Sequence, residues 1–156
     1  MDIREATHDD LDLLAELNLE VQDLHVAAEP GIFRPARHAD ARAAFEQLLA
    51  WADTSVYIGF EGDEAVGYLV AVIQVRPANG FTHERRVLYI DQIGVRRTAQ
   101  HRGYGAALIE AACQLAGSHH LDRVELDTWD FNKNAQAFFA SQGFRPLRIR
   151  LARDLR

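Results

Sequence analysis

The sequence predicts a single α/β domain of the α+β type, in which helices flank a mixed and mostly antiparallel sheet. Its 156 residues are enough for one domain that buries most of its apolar surface. Apolar periodicity alternates along the chain between helical and strand spacing, in the order β-α-α-β-β-β-α-β-α-β. Such an order requires a partly antiparallel sheet covered by helices. No repeat or linker-like stretch interrupts it, so we assign residues 1–156 to one domain.

The N-terminal part of the chain predicts a short strand followed by two helices. Residues 3–5 form the strand, and Thr7 then starts the first helix as its N-cap, with Asp10 at the capping-box position. Pro30-Gly31 breaks this helix, and residues 41–52 repeat the helical pattern. The apolar stripe of the first helix consists of Leu11, Leu14, Leu17, Val21 and Leu24.

The middle of the chain predicts three consecutive strands. Residues 55–60, 65–75 and 86–95 are rich in β-branched and aromatic side chains. Residues 61–64 form a hairpin turn between the first two strands, and residues 77–83 form a loop of turn-forming residues before the third. We therefore expect neighbouring strands here to pair antiparallel.

The C-terminal part predicts a helix over residues 103–116, a strand over 123–128, a helix over 133–142 and a last strand over 144–151. Gly143 ends the second of these helices. In the last strand, arginines alternate with apolar residues, which predicts either a solvated basic face or the edge of a homodimer. The inward face of the first helix is expected to contain Leu108, Ile109, Ala112, Leu115 and Ala116.

Composition and charge narrow the class of protein. Apolar residues make up 48% of the chain, and 17 basic against 23 acidic residues leave a net charge of −6. This balance gives no general electrostatic footprint for nucleic acid or for an anionic membrane. The chain has neither a run of 18 apolar residues nor a signal-peptide pattern at its start, so we expect a cytoplasmic protein. Cys113 is the single cysteine; we expect a buried small hydrophobe there and no metal site.

The segment most informative about chemistry follows the third middle strand. After Val95 comes a basic loop, and then Gly103 and Gly105 open a helix. Glycine allows close approach of the backbone to a ligand, and the first N–H groups of a helix favour an anion. The pattern predicts a diphosphate site, although two such glycines also serve tight turns. A Rossmann fingerprint is excluded because Leu108 occupies its third glycine position, and no P-loop Gly-Lys-Ser/Thr occurs.

Two sequence motifs, which follow one another along the chain, resemble the conserved motifs of the GNAT superfamily of N-acetyltransferases. The first motif is Gln100-His101-Arg102-Gly103-Tyr104-Gly105, which begins five residues after Val95. The second runs from Asn132 through Phe138-Phe139 to Gly143-Phe144. The resemblance extends to the order of elements over nearly the whole chain. It implies a GNAT-like fold and an enzyme that uses acetyl-CoA as cosubstrate.

The resemblance also implies a role for each matched position. Two central strands of the family splay apart, and the pantetheine arm lies along the first of them, at Ile93, Gly94 and Val95. A backbone N–H there would polarise the thioester carbonyl. The diphosphate would be held, chiefly by backbone N–H groups, at Gln100, His101, Arg102, Gly103, Tyr104, Gly105 and Ala106. The CoA arm would be bordered by Asn132, Ala135, Phe138 and Phe139.

Asp91 is the candidate general base. Transfer to an amine requires removal of a proton, and strand alternation predicts that Asp91 shares a face with Ile93 and Val95. A carboxylate among isoleucines and valine does not serve packing, and several enzymes of the family carry an acid at the matching place. The alternative is an aspartate at the strand edge that pairs with Arg85 or Arg86.

The sequence departs from the family pattern at Phe139. The usual residue is tyrosine, whose hydroxyl can protonate the departing thiolate, and phenylalanine cannot. Tyr104, Tyr89 or a water molecule remain as replacements, and a thiol leaves tolerably as thiolate. The departure also motivates an alternative function, a non-catalytic module that binds acyl-CoA.

The acceptor is expected to contact residues 25–37 and residues 77–85, which lie where family members recognise their acceptors. Neither segment encodes a recognisable substrate class, and a small-molecule amine is favoured over a protein. Trp129 and Phe131 either belong to the core or line the acceptor site. We expect direct transfer without a covalent enzyme intermediate, since no nucleophile is placed for one.

Overall fold

The computed structural model describes residues 1–155 and contains one five-stranded sheet with the strand order β1-β2-β3-β4-β5. Strands β1 to β4 pair antiparallel with their neighbours, and β5 pairs parallel with β4. The predicted fold class is therefore confirmed. The strands are β1 (Asp2–Glu5), β2 (Thr54–Glu61), β3 (Glu64–Arg76), β4 (Arg85–Val95) and β5 (Val124–Leu126). The helices are α1 (Leu11–Ala28), α2 (His38–Ala50), α3 (Tyr104–Ser118) and α4 (Lys133–Ser141).

Helices cover both faces of the sheet, and side chains of β3 alternate between the two sides. Tyr68 and Val70 pack with α1 and α2, whereas Leu69 and Ala71 pack with α3 and α4. The predicted inward face of α3 is confirmed, with Leu115 partly buried and its other members buried. The apolar stripe of each helix therefore covers one face of the sheet.

The pairing of β4 with β5 is short and leaves part of β4 uncovered. The parallel pairs run from Leu88 opposite Val124 to Ile90 opposite Leu126. Beyond Ile90, the outer edge of β4 has no strand partner within the described residues. The sheet therefore opens between the end of β5 and residues 91–95.

A β-bulge in β4 corrects the predicted orientation of Asp91. In the pairing with β3, Val70 lies opposite Gln92 and Ala71 lies opposite Ile90, so Asp91 has no partner in β3. Ile90 and Ile93, on either side of it, both pack against the cluster around α3. The strict alternation that we expected is interrupted at this point, and Asp91 is exposed instead of sharing that face.

The predicted capping box at the start of the first helix is present. The backbone N–H of Thr7 donates to Asp10 Oδ2 at 2.8 Å, and the guanidinium of Arg4 donates to both oxygens of Asp10, at 2.7 and 2.8 Å. Asp10 is only 4% exposed. The hydrogen bonds from Arg4 lower the pKa of Asp10 to about 2, against the opposing effect of burial.

Two local predictions are wrong. Residues 144–151 form no strand: the alternating pattern is present, but no partner strand pairs with it in this copy of the chain. Cys113 is exposed, because the buried arc of α3 is centred on Leu108, Ala112 and Ala116 and the next residue lies about 100° further round the helix. Within residues 1–155, none of the helices is both long and apolar enough to cross a bilayer.

Candidate functional site

The loop after β4 has the backbone shape that the two glycines predict. A short 3-10 turn, Arg97–Ala99, follows the strand, and His101 and Gly103 then adopt φ values of 60° and 87°. The left-handed region is open to glycine without a steric penalty, which explains the glycine at position 103. These two turns reverse the chain so that α3 begins directly after Gly103.

The start of α3 presents unpaired backbone donors. Gly103 is the N-cap residue and has no side chain to accept from them, and the N–H of Ala107 donates to Gly103 O at 3.1 Å. The amides of Tyr104, Gly105 and Ala106 precede this bond and find no backbone acceptor in the part of the chain that the structure describes. Amides at the positive end of a helix dipole form a site for an anion such as a diphosphate.

Glycine is needed at the two positions of the loop for different structural reasons. A Cβ atom on Gly103 would meet nothing within 4 Å, so the space in front of the helix is open at that point. A Cβ atom on Gly105 would lie 2.9 Å from Cζ of Phe138 on α4. Gly103 therefore shapes the loop towards open space, whereas Gly105 allows α3 and α4 to pack closely.

Arg96 fixes this loop to the rest of the domain. Its Nε atom donates to Ala65 O at 2.8 Å, and its guanidinium pairs with Glu16 at 3.3 Å and Glu20 at 3.1 Å on α1. The backbone N–H of Arg97 also donates to Glu20, at 3.1 Å. The loop is thus held by two separate segments of the chain, α1 and the start of β3.

Two predicted diphosphate residues make contacts within the protein. Arg102 forms an ion pair with Glu61 of β2, and its guanidinium lies 5.3 Å from the ring centroid of Tyr104. The ring of Tyr104 is 8% exposed and packs against Val66. The carboxylate of Glu61 lies near the Tyr104 hydroxyl and raises the pKa of that hydroxyl. Tyr104 therefore offers its backbone amide to a ligand, since its side chain is engaged.

The free edge of β4 lies between this loop and α1. The side chain of Gln100 donates to Val95 O at 3.3 Å, which joins the loop to the end of the strand. A Cβ atom on Gly94 would lie 2.7 Å from both Val21 of α1 and Tyr68 of β3. Glycine at position 94 thus permits α1 to approach the strand, and Ile93 to Val95 have no strand partner on their β5 side within the described residues.

A partly buried polar network supports the strand beside Asp91. The side-chain amide of Asn18 donates to Tyr68 Oη and to Gln92 Oε1, each at 3.0 Å, and the Tyr68 hydroxyl donates to Gln92 Oε1 at 3.3 Å. Two donors thus fix the oxygen of Gln92, and its Nε2 donates to Asp91 Oδ2 at 3.4 Å. Burial is the main cause that raises the pKa of Tyr68, and the negative charge of Asp91 adds to it. The alternative pairing of Asp91 with Arg85 or Arg86 is not observed within the described residues, and Arg85 instead pairs with Glu125 at 3.7 Å.

A second carboxylate, that of Asp127, lies directly after the end of β5. Tyr89 Oη donates to Asp127 Oδ2 at 3.1 Å. Burial, together with the charges of Asp127 and Asp91, raises the pKa of Tyr89 to about 12. Sequence reasoning did not single out Asp127 or the Asn18 network. The signal for Asp127 is its position directly after the last apolar residue of a strand that pairs with β4.

The second sequence motif forms the start of α4. Asn132 is the N-cap of this helix, and its Oδ1 accepts the N–H of Ala135 at 3.1 Å. Phe138 is half-buried against α3, whereas Phe139 is 9% exposed and belongs to the core. The structure thus brings Phe138 to the glycine loop through Gly105 and places Phe139 mainly within the core.

Trp129 and Phe131 form an aromatic cluster with residues 25–37. The centroid distances are 4.8 Å for His25–Phe33, 5.7 Å for His25–Phe131, 5.1 Å for Phe33–Trp129 and 6.1 Å for Trp129–Phe131. Trp129 is 43% exposed. The two residues are therefore not part of the buried core, and they connect one predicted acceptor segment to the loop between β5 and α4. In the other predicted acceptor segment, residues 77–85, every residue is exposed.

No group of three or more metal-binding side chains occurs among residues 1–155. The groups that the described site offers are backbone donors, an open strand edge, two carboxylates and a tyrosine hydroxyl. These groups suit the binding of a phosphorylated, extended ligand and the transfer of a proton next to it.

Comparison with known proteins identifies relatives along most of the chain. The sequence profile of the acetyltransferase (GNAT) family matches residues 19–144. An uncharacterized N-acetyltransferase in the pepI 3' region of Lactobacillus delbrueckii subsp. lactis is 34% identical over 80 residues, which are 51% of this chain and 45% of that protein. The chain spans less than half the length of the curated relatives it matches.

Solved structures share the whole fold. The tetramutant of the BH1408 protein from Bacillus halodurans superposes with a TM-score of 0.93 at 28% identity and covers 99% of this chain and 100% of its own. The aminoglycoside N-acetyltransferase AAC(6')-Iy, solved in complex with CoA, superposes with a TM-score of 0.78 at 21% identity, over 98% of this chain and 93% of its own. The second likeness concerns the fold alone.

Proposed function

This chain belongs to the acetyltransferase (GNAT) family, and from this premise we propose that it transfers the acetyl group of acetyl-CoA directly to a primary amine. Family membership makes the chain an acetyl-CoA-dependent acyltransferase with acetyl-CoA as its cosubstrate. The amine acceptor, the direct route and the residue roles below are the proposal.

One arrangement carries the proposal: the unpaired amides at the start of α3 adjoin the free edge of β4. The amides of Tyr104, Gly105 and Ala106 bind the diphosphate, and the open space in front of Gly103 accommodates it. The backbone at Ile93 to Val95 pairs with the pantetheine arm as a neighbouring strand would. An N–H group of this segment then polarises the thioester carbonyl where negative charge develops.

Asp91 is proposed as the general base. A lysine-like amine with a pKa near 10.4 is only about 0.04% neutral at pH 7, so a base is worth up to about 5 kcal/mol. Asp91 is exposed at the bulge where β4 and β5 separate, and the Gln92 amide, held by Asn18 and Tyr68, orients its carboxylate. It accepts the proton that the amine loses, directly or through one water molecule.

Tyr89 is proposed as the proton donor to the departing thiolate. Phe139 has no hydroxyl, and the Tyr104 hydroxyl is engaged with Glu61. The Tyr89 hydroxyl is protonated at neutral pH. Because its pKa is raised to about 12, it gives its proton to the thiolate only as the proton that Asp91 took from the amine replaces it, so that one proton passes in net from the amine to the CoA thiol. The hydroxyl lies close enough to Asp91 for the charge of that carboxylate to contribute to this shift.

A small-molecule amine is the proposed acceptor. Asp91 and Asp127 attract a cationic amine to the point where the strands separate, and the exposed face of Trp129 adds an aromatic surface nearby in the chain. The structural neighbour AAC(6')-Iy, an aminoglycoside N-acetyltransferase by name, offers a precedent for a small amine on this fold. The proposed cellular location is the cytoplasm, and the exposed free thiol of Cys113 suits a reducing compartment.

Release of the CoA thiol over a panel of amines tests this function. The panel contains small aliphatic amines, aromatic amines, polyamines, amino sugars and a lysine peptide, and mass spectrometry identifies each product. We expect amine-dependent thiol release and an N-acetylated small molecule, with no acetyl-enzyme and no ping-pong kinetics. Trapping of an acetyl-enzyme would overturn direct transfer, and acetylation of the peptide alone would overturn the small-molecule acceptor.

A non-catalytic acyl-CoA-binding module is the second candidate function, and the core position of Phe139 motivates it. Binding of CoA does not distinguish the two functions, because both require it. Turnover with any amine of the panel eliminates the module. CoA binding without turnover on the whole panel would favour it.

The proposal also includes a homodimer as the active form. The C-terminal segment of the chain is basic, but it also contains apolar side chains that are exposed in a single copy. These are Leu147, Ile149, Leu151 and Leu155.

A further inference from the structure

Two glutamates of α1 contact the loop that is proposed to hold the diphosphate. Glu16 and Glu20 both pair with Arg96, at 3.3 and 3.1 Å, where β4 passes into that loop. CoA is an anion, and negative charge close to an anion site weakens binding by repulsion. The presence of two carboxylates here therefore requires another physical reason, and the hydrogen bonds of Glu20 supply one.

Glu20 accepts hydrogen bonds from two donors of the loop at once. Its Oε1 atom accepts from Arg96 Nη1 at 3.1 Å, and its Oε2 atom accepts from the backbone N–H of Arg97, also at 3.1 Å. Arg97 begins the 3-10 turn Arg97–Ala99, and the first N–H groups of such a turn have no partner within it. Glu20 provides the missing acceptor, so the turn is fixed to α1 at its first residue.

The side chain of Arg96 holds the carboxylate of Glu20 in place. Its Nε atom donates to Ala65 O at 2.8 Å, and its backbone N–H donates to Val66 O at 2.8 Å. The Arg96 side chain is only 22% exposed, and its terminal nitrogens donate to the two glutamates. A guanidinium that is bound on three sides has one position, and one oxygen of Glu20 is bound to it. The other oxygen is thereby directed to Arg97.

The turn that Glu20 fixes leads directly into the unpaired amides at the start of α3. Seven positions separate Arg97 from Tyr104, and the residues between them reverse the chain at His101 and Gly103, which have positive φ values. Over so short a stretch, a displacement of the turn also displaces the loop that follows it. The attachment at Arg97 therefore helps to set where the amides lie relative to the free edge of β4.

We propose that Glu20 is a positioning residue for CoA, which holds the turn Arg97–Ala99 so that the amides of the loop and the edge of β4 face one ligand. The inference rests on the diphosphate site of the proposed function. It goes beyond that function because it assigns a role in cosubstrate affinity to a residue of α1 that lies outside both sequence motifs. Removal of Glu20 should weaken CoA binding if the residue positions the loop, whereas its charge alone predicts tighter binding.

Glu16 provides a matched control for the charge. It lies one turn before Glu20 on the same helix and pairs with the same guanidinium, through Arg96 Nη2 at 3.3 Å. Of the two glutamates, only Glu20 binds the backbone of the loop within residues 1–155. Glu16→Gln and Glu20→Gln thus remove the same charge, but only Glu20→Gln impairs the acceptor of the Arg97 N–H. A glutamine at position 20 retains one oxygen, so it serves one of the two donors.

Titration of the isotope-labelled protein with CoA and with pantetheine, followed by its amide NMR signals, tests the inference. Pantetheine contains the arm proposed to pair with β4 and lacks every phosphate group of CoA. Glu20→Ala is expected to bind CoA about tenfold more weakly than the wild type, and Glu20→Gln is expected to show part of this loss. Glu16→Gln should bind CoA at least as tightly as the wild type, and all three variants should bind pantetheine as the wild type does.

The outcomes separate this inference from the proposed function. A wild type that binds CoA no more tightly than pantetheine would overturn the diphosphate site and the positioning role together. If the wild type prefers CoA, full CoA affinity in Glu20→Ala, or an equal loss in Glu16→Gln, would overturn the positioning role alone. An equal loss of affinity for both ligands in Glu20→Ala would also overturn it, because Glu20 would then support the whole domain. If Glu20→Ala does not fold, the comparison of Glu20→Gln with Glu16→Gln decides by the same criteria.

Discussion

Substitution of Gly103 by alanine separates backbone strain from ligand binding. Gly103 has a φ of 87°, and a Cβ atom there would meet nothing within 4 Å. The protein itself therefore resists the methyl group only through its left-handed backbone, which costs roughly 1–2 kcal/mol for a residue with a Cβ. In a domain of this size, each kcal/mol lowers Tm by about 2–4 °C.

Gly143 provides a matched control for this strain. It has a φ of 85°, and a Cβ atom there would also meet nothing within 4 Å. Gly143→Ala should therefore lower Tm by the same few degrees as Gly103→Ala. The control lies at the end of α4, whereas Gly103 lies at the start of α3, where the amides are unpaired.

The effect on CoA binding should differ between the two variants. The methyl group of Gly103→Ala projects into the space proposed for the diphosphate, and the strained loop displaces the amides behind it. We expect at least a tenfold loss of CoA affinity, which corresponds to about 1.4 kcal/mol. Isothermal titration calorimetry at a temperature well below both Tm values measures this loss. Equal CoA affinities for Gly103→Ala and Gly143→Ala would refute the assignment of the loop.

Three further predictions concern the base, the packing of the loop and the pH dependence of stability. Asp91→Asn should lower kcat by roughly 10²- to 10⁴-fold and leave CoA affinity nearly unchanged, and an unchanged rate per folded molecule would remove Asp91 from the base role. Gly105→Ala should destabilise the domain by about 1–3 kcal/mol, because the added methyl group contacts Phe138. In a double-mutant cycle, Phe138→Leu should recover much of this loss. If the free-energy changes of the two substitutions were strictly additive, the contact with Phe138 would not be the cause of the loss. Because the native pKa of Asp10 is lowered from 3.8 to about 2, its ionisation stabilises the fold by about 2 kcal/mol above pH 4, and this contribution is lost as the pH falls towards 2. Urea unfolding across this range should show the loss in the wild type and not in Asp10→Asn.

The sequence was sufficient for those parts of the fold that local periodicity determines. Helices α1 and α3 and strands β2 to β4 show their apolar pattern over many residues, and each is present close to its predicted bounds. The prediction of the last strand, residues 144–151, is wrong for a physical reason. Alternation states which side chains are buried together, but a strand also requires a partner for its backbone, and that partner is not encoded within the segment.

The same distinction applies to the candidate site: the parts that neighbouring residues determine were predictable from the sequence, and the parts that depend on distant residues were not. The glycine loop was predictable because six consecutive residues, from Gln100 to Gly105, contain its whole pattern. The support of Asp91 was not, because Asn18 and Gln92 are separated by 74 positions and meet only after α1 packs on the sheet. The bulge at Asp91 was missed because it arises from the pairing of β4 with β3, and a single extra residue reverses the alternation beyond it.

Hydrogen–deuterium exchange of the wild-type protein with and without CoA tests the central claim most directly. We expect slower exchange in the CoA complex at the amides of Tyr104, Gly105 and Ala106 and along the outer edge of β4 at residues 93–95. Strands β1 and β2, at the opposite side of the sheet, should exchange at the same rate in both states. Saturation with CoA without added protection at the start of α3 and at this edge of β4 would contradict the account.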